Sequence, residues 1–268
     1  MQIVFVSIVS FFLILTAPVF AATCGNGPAG FEAWKQDFIA NSSRYRLKQR
    51  VVREALKNAK YSSKVVRLDR NQKSFKLSFK QFYAKRVNNA MIRRGKKLGE
   101  TYRRLFSRIE KKYGVPAPVI LAIWGLETNY GGYSGKMPVL QSLATLAYDC
   151  RRSKFFTNEL VNALVIVQRR DMSPGEMRGA WAGEIGQTQF LASSYVKYAV
   201  DYDRDGRRDL IRSIPDVLAS TANYLKKKGW RRGQPWGPGT ANYRVIKEWN
   251  KASVYQQTIA VMADKIAN

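Results

Sequence analysis

The residue whose setting most suggests chemistry is Glu127, near the end of AIWGLETNYGG over residues 122–132. Ile123, Trp124 and Leu126 lead into it, and Gly131 and Gly132 break the segment just beyond. A carboxylate at the C-terminal end of an apolar helix is disfavoured in its charged form by desolvation and by the negative end of the helix dipole. Both effects hold its proton towards neutral pH. A neutral carboxyl beside a cleft is what general-acid cleavage of a glycosidic bond requires; the plain alternative is a solvated helix-end glutamate. The chain has no histidine, which removes the commonest general base and every Ser–His or Cys–His nucleophile pair. Acid–base work is left to Asp, Glu, Tyr, Lys or Cys.

A second group of chemical interest is DYDRDG. Asp201, Asp203, Asp205 and Gly206 spell the first half of a calcium loop, with oxygen ligands at alternate positions and a glycine for the turn. At position 12 counted from Asp201, where a bidentate Glu belongs, stands Arg212. Arg204, Arg207 and Arg208 lie beside these acids and offer the rival arrangement, a cluster neutralised with no metal. Calcium here would serve stability, not chemistry. No cofactor is required by any other feature.

Helical periodicity must position both groups. Leu47, Val51 and Ala55, with Val52 and Leu56, form an apolar stripe through a basic segment. Met91 to Tyr113 reads as one helix ending at Gly114, and Pro116 and Pro118 open the segment Val119 to Glu127. Further helices follow around Phe156–Val165 and Val217–Leu225, and a last one over Val254 to Ile266. Loops are marked by residues 129–138, 179–186, 201–209 and 229–239. The expectation is one mainly α unit with at most a small β element.

At 268 residues, with 46% hydrophobic side chains, the chain can bury a substantial core. Its net charge is +27, and residues 41–112 hold 24 Lys and Arg against 4 Asp and Glu. Such a run is either the solvated face of amphipathic helices or a surface for a polyanion. No helix-turn-helix, zinc-finger or RNA-binding signature accompanies it, so nucleic acid is not the expected partner. The first 31 residues carry no charged side chain, and an apolar run ends in Val19-Phe20-Ala21. This reads as an export signal over residues 1–21, against the rival of a retained anchor. After its cleavage no stable membrane insertion is expected, and the location would be periplasmic. Cys24 and Cys150 are then the two cysteines of an exported chain, a candidate disulfide, with two unpaired thiols as the alternative.

The run VPAPVILAIWGLETNYGGYSG, then PVLQSLATLAYDCRR and GAWAGEIGQTQFLASSY, resembles the lytic murein transglycosylase B family. The similarity continues through YAVDYDRDGRRDL, ANYLKKKGW and WNKASVYQQTIAVMADKI, from about Cys24 to the end. It implies a lysozyme-like α-rich fold, a basic helical part over residues 22–100 and a catalytic domain over 101–268. It also implies cleavage of the MurNAc–GlcNAc β-1,4 bond of peptidoglycan, leaving a 1,6-anhydro-MurNAc end. By position Glu127 matches the family's single catalytic glutamate, acting as acid and then as base. Gln189 matches a sugar-contacting glutamine and Tyr224 a tyrosine lining the cleft. Asn250 and Tyr255 match a pair that helps to place the glutamate and the substrate. The two tyrosines have an ordinary core role as their alternative. Glycan strands, and other cell-wall machinery, would be the partners. Some members of the family close an unusually long aspartate loop with a later Asp, which implies Asp216 as the closing ligand here.

Three positions depart from the family pattern. Ala180 stands where some members carry Ser near the carboxylate, and Trp249 where some carry Tyr, which would alter a stacking surface. Glu184 stands where others carry Ala. It reads as a loop charge facing solvent, with a second, water-recruiting acid as the sharper alternative. A catalytically inactive wall-binding or scaffold protein with the same fold is the rival reading of the whole chain.

Overall fold

The structure is a computed structural model and describes residues 24–71 and 77–268. Among these the fold is mainly α. Helices α1 (Phe31–Ala40), α2 (Gln49–Leu56), α3 (Ser63–Arg70) and α4 (Phe79–Arg86) form the basic N-terminal part. They are followed by α5 (Asn89–Thr101), α6 (Arg103–Tyr113) and α7 (Ala117–Thr128). Strand β1 (Met137–Pro138), α8 (Val139–Tyr148), α9 (Ser153–Gln168) and β2 (Arg178–Gly179) come next, then α10 (Ala192–Tyr198), α11 (Ile214–Lys227), α12 (Ala241–Trp249) and α13 (Ser253–Ala267). The two short strands pair antiparallel, Met137 opposite Gly179 and Pro138 opposite Arg178.

Helix α7 is the centre of the packing. From Val119 to Leu126 every residue is buried, so it has no polar face to turn to water. Such a helix needs neighbours on all sides, and α5, α6, α11 and α13 supply them. Pro118 sits in its first turn, where a missing N–H costs nothing. The α2 stripe behaves as its spacing predicts: Val52, Ala55 and Leu56 are buried, while Arg50 and Arg53 stay in water. One apolar cluster runs from Phe31 to Ile266, so the N-terminal helices and the later ones share a core.

The Met91–Tyr113 expectation needs a correction: the structure has two helices, α5 and α6, joined at Tyr102 (φ −102°, ψ 21°). Gly99 weakens the helix just before the join, and the Thr101 hydroxyl donates to the Lys97 carbonyl at 2.9 Å, a competing bond that bends helices. The turn lets Tyr102 lay its ring near Trp124, centroids 6.5 Å apart.

Cys24 and Cys150 are joined in a disulfide, which ties the segment before α1 to the turn between α8 and α9. Gly25 reinforces it by donating its N–H to the Tyr148 carbonyl at 2.9 Å. The same turn is held by ion pairs, Arg70 with Asp149 at 2.8 Å and Arg151 and Arg152 with the buried Asp69. No helix among the described residues is long and apolar enough to cross a membrane. The export segment read over residues 1–21 lies outside the described residues.

Candidate active site

Helix α7 ends in an unusual run. Asn129, Tyr130 and Gly131 all take the left-handed conformation (φ 51°, 58° and 78°). At Gly131 an added Cβ would lie 2.3 Å from Oε1 of Gln187, so glycine is required there twice over. The turn is pinned to the loop after β2. Thr128 donates its hydroxyl to the Gln187 carbonyl at 2.6 Å, and the Trp124 indole donates to Gln187 Oε1 at 2.9 Å. The consequence is a fixed exit for Glu127, one residue before the helix ends, into a cleft of about 340 Å³.

Two neutral donors hold the Glu127 carboxyl. Trp249 Nε1 and Tyr255 Oη both donate to its Oε1, at 2.9 and 2.8 Å. Burial pushes the carboxyl up to about 7. The two hydrogen bonds and the charge of Arg86 pull the other way, and the charge of Glu184 adds slightly to the rise. Arg86 is close because its guanidinium donates to the Leu126 carbonyl at 2.8 Å, capping the end of α7. The Tyr255 hydroxyl is pushed well above its ordinary value by burial and by the facing carboxylate, so it remains a donor. Desolvation thus dominates at Glu127, and the group can carry a proton near neutral pH.

Trp249 is held in place by rings. It packs edge-on to Phe190 and Tyr224, centroids 5.4 and 5.0 Å apart, and Tyr224 packs edge-on to Tyr198 at 4.9 Å. This cluster fixes the indole so that its N–H meets Glu127, a role that the sequence reading of Trp249 as a changed stacking surface missed. An available signal was that a buried indole is a donor with no acceptor capacity of its own. Tyr224 gives its hydroxyl to the Glu248 carbonyl at 2.6 Å, so it offers the cleft an aromatic wall rather than a free hydroxyl.

The remaining expected residues reach the same cleft without touching Glu127. Gln189, at φ 52°, donates its amide to the carbonyls of Gly186 and Ser134 at 2.8 and 3.1 Å. That use of its nitrogen turns the amide oxygen into the group left for a ligand. Asn250 ends α12, and its side chain accepts from the Ala252 N–H at 3.0 Å while its carbonyl accepts from Gln256 at 2.9 Å. It lines the cleft and shapes the turn that separates Trp249 from Tyr255. Ala180 also lines the cleft. Glu184 requires a correction: it does not face solvent as a loop charge but lines the cleft with Glu127, with its Oε2 buried and unpartnered. The reason is the tight loop after β2, whose paired backbone turns residue 184 inwards.

Residues 30–241 match the sequence profile of the transglycosylase SLT domain. The chain belongs to this family. Over 133 residues this SLT-domain chain is 38% identical to the membrane-bound lytic murein transglycosylase B of Escherichia coli K12. That stretch is 49% of this chain and 37% of the relative, so the match spans little more than a third of that protein's length. The fold superimposes with a TM-score of 0.83 on SltB3 from Pseudomonas aeruginosa in complex with NAG-anhNAM-pentapeptide, at 30% identity over 89% of this chain and 80% of that one. It also shares its fold with the Escherichia coli lytic transglycosylase Slt35 in complex with calcium, with a TM-score of 0.77 and 24% identity over 92% and 96% of the two chains. The lysozyme-like α-rich architecture is therefore that of the lytic transglycosylases.

In this SLT-domain chain the aspartate loop follows α10. Carboxylate oxygens of Asp201, Asp203 and Asp216 lie within 4.8 Å of one another. Asp205 is not part of that trio; it accepts from the Arg207 N–H and faces the Arg207 guanidinium at 3.9 Å. Two further arginines are engaged elsewhere: Arg208 with Asp171 at 2.9 Å, and Arg212 with Asp209 at 2.9 Å and with Glu176. Among the described residues no ion pair reaches Asp201, Asp203 or Asp216. The trio is instead organised by neutral donors. Tyr202 and Asp209 donate backbone N–H groups to Asp216 at 2.6 and 2.8 Å, Gly206 donates to Asp201 at 3.0 Å, and Ser213 donates to Asp203. Burial pushes Asp216 up to about 6, and the nearby Asp203 charge adds to the rise. Three converging hard oxygens fit a calcium ion in donor chemistry.

Proposed function

We propose that this chain is a peptidoglycan lytic transglycosylase that cleaves the MurNAc–GlcNAc β-1,4 bond with Glu127 as its only catalytic acid and base. The observation that carries the reading is the environment of Glu127: a desolvated carboxyl, held by two neutral donors, with its proton retained up to about pH 7. In the first step the Glu127 proton goes to the glycosidic oxygen, and the bond from MurNAc C1 to that oxygen breaks. The leaving GlcNAc departs with its 4-hydroxyl restored. The electron deficiency at C1 is shared with the ring oxygen, and the sugar's own N-acetyl carbonyl can hold it. In the second step the C6 hydroxyl of the same MurNAc attacks C1 and gives its proton to the Glu127 carboxylate. The acid is regenerated, no water is consumed, and the product is a 1,6-anhydro end.

Ordinary glycosidases use two carboxyl groups, one of them to manage water or a covalent intermediate. Here the substrate's own hydroxyl replaces water, so one suffices. Trp249 and Tyr255 hold the Glu127 oxygen that they share, which leaves the other oxygen to exchange the proton. Tyr224, Gln189 and Asn250 would line the path of the glycan. The disulfide supports an exported, periplasmic location, because such bonds persist in oxidising compartments. Asp201, Asp203 and Asp216 would hold a calcium ion, which supplies charge neutralisation to the loop and takes no part in the chemistry.

The test is mass spectrometry of the muropeptides released from purified peptidoglycan by the chain and by Glu127→Gln. Anhydro ends from the first and none from the second are expected. Reducing ends would refute the non-hydrolytic route, and no product from either would favour an inactive wall-binding protein with the same fold.

A further inference from the structure

Three glutamates line the cleft, and each is treated differently. Glu127 has its two neutral donors. Glu248 is clamped by Lys251 at 2.7 Å and Lys228 at 3.3 Å, which hold it below the usual carboxylate range. Among the described residues Glu184 makes no ion pair, although the chain holds 46 Lys and Arg residues. Its Oε2 is buried and has no hydrogen-bond partner. A buried acceptor left unsatisfied is costly, and it normally signals a ligand or a missing partner.

The placement of Glu184 is rigid. The Ala180 N–H donates to the Glu184 carbonyl at 3.1 Å, and the next residue, Ile185, exchanges backbone bonds with Phe190 at 2.8 and 2.9 Å. Gly179 lies so close that an added Cβ would meet the Glu184 carbonyl oxygen at 1.9 Å. Gly183 turns the chain at φ 92°, with Leu143 filling the space where its Cβ would be. This frame fixes where the Glu184 side chain leaves the backbone, at the wall of the cleft. The backbone N–H groups of Glu184 and Ala182 and the charge of Arg152 favour its carboxylate; the Arg152 guanidinium donates to Asp69 and stacks on Phe156 at 4.8 Å, while its Nε is buried without a partner. Glu159, which takes the Ser193 N–H at 3.0 Å, opposes that effect. The loop therefore presents a carboxyl group to the cleft that the protein itself leaves incompletely satisfied.

We propose that Glu184 is a substrate-contacting residue of this chain, whose carboxyl accepts a hydrogen bond from an N–H or O–H donor on an N-acetylated sugar of the glycan. The proposal rests on the transglycosylase reading, since it takes its ligand from that cleft. A saccharide carries these neutral donors at close spacing and would supply a partner to the carboxyl where it lines the cleft. The role is binding and orientation, with no step in bond cleavage assigned to it.

The experiment measures binding of soluble, stem-free glycan strands, prepared from peptidoglycan, to the full-length chain carrying Glu127→Gln, alone or combined with Glu184→Ala or Glu184→Gln. Thermal unfolding is followed in parallel. Glu184→Ala is expected to weaken binding by roughly tenfold to a hundredfold, the loss for a hydrogen bond to a charged group. Glu184→Gln keeps a neutral acceptor and should recover much of that loss. Because an unsatisfied buried acceptor is removed, Tm should rise by a few degrees in Glu184→Ala, roughly as 1 kcal/mol implies for a domain of this size. A structural glutamate would show the opposite, a lower Tm with unchanged glycan affinity, and that outcome overturns the proposal. So does unchanged affinity at any Tm. In the chain with Glu127 intact, a Glu184→Ala change that suppresses reducing ends while leaving affinity untouched would make Glu184 a water-activating base instead. No glycan binding by Glu127→Gln would overturn both this proposal and the function it rests on, whereas binding that ignores residue 184 overturns this one alone.

Discussion

In the cleft, Glu127 is held by an indole and a phenol among apolar side chains; between the loop after α10 and the first turn of α11, Asp201, Asp203 and Asp216 are held by backbone amides and a serine, and face one another. Among the described residues neither Glu127 nor the aspartate trio has an ion-pair partner, in a chain with a net charge of +27. The two solve the resulting charge problem differently. An isolated carboxyl in an apolar wall can keep a proton, and that makes it an acid. Three carboxylates whose oxygens converge can be relieved together by one divalent cation, and that makes them a candidate metal site. Solitude and convergence, with desolvation in both, decide which chemistry a carboxylate is given.

The largest test of the comparison is removal of the solitary acid. Glu127→Gln should lower anhydro-end formation by at least about a thousandfold, within the usual range for a general acid–base residue. The same substitution should change stability in a pH-dependent way. The folded-state value of Glu127 is raised from 4.5 to about 7, so the native state binds the extra proton between those limits. Native stability is therefore lost as pH rises from about 4.5 through 7, and the full penalty, about 3 kcal/mol at most, applies above 7. Urea unfolding of both chains from pH 5 to 8 should show Glu127→Gln gaining on the unsubstituted chain as pH rises. A gap that stays constant over that range would mean the carboxyl is not desolvated. Activity should fall along the same limb, because the proton for the leaving oxygen is lost.

The converging acids give the next effect. Calcium at a hundred times its dissociation constant should stabilise the fold by about 2.7 kcal/mol, read as a rise in Tm that a chelator reverses. Asp216→Asn should remove that calcium response and leave anhydro-end formation intact at low temperature. If calcium moved activity and not Tm, the division between chemical and structural acids would break down. If it moved neither, the loop would be an acid cluster stabilised by its amides alone.

How far the sequence foretold this arrangement varied with the range of the interactions. Glu127 at the end of an all-apolar helix, and the prolines opening that helix, were legible because they are local: burial along α7 is continuous from Val119 to Leu126. Asp201 and Asp203 could be found from their spacing, which also pointed to Asp205, outside the trio; Asp216 came only through the resemblance to relatives with a longer loop. The join at Tyr102 was not legible, since periodicity barely changes across it and the deciding hydrogen bond is a threonine side chain's own. Glu184 was misplaced because whether a loop charge faces water or cleft depends on pairing with residues 179 and 190, which no local pattern reveals. Trp249 suffered in the same way: its partner lies 122 residues away, on another helix.

That distant pair supplies the smallest effect and the sharpest probe of how the acid is set. Trp249 and Tyr255 donate to the same Glu127 oxygen, and each bond favours the charged form, so each lowers the value that burial raises. Tyr255→Phe removes one donor and keeps the ring, which packs 6.0 Å from Phe82. A net hydrogen bond of about 1 kcal/mol corresponds to somewhat under one pH unit. The alkaline limb of anhydro-end formation should therefore move upward by that amount in Tyr255→Phe, not downward, while the rate at its acid plateau falls only as far as orientation is lost. Trp249→Phe should move the limb the same way, with a larger loss of rate because its ring also holds Tyr224 and Phe190. A downward shift in either variant would mean that these donors stabilise the protonated acid, so that the proton of Glu127 is kept by hydrogen bonding and not by its apolar wall.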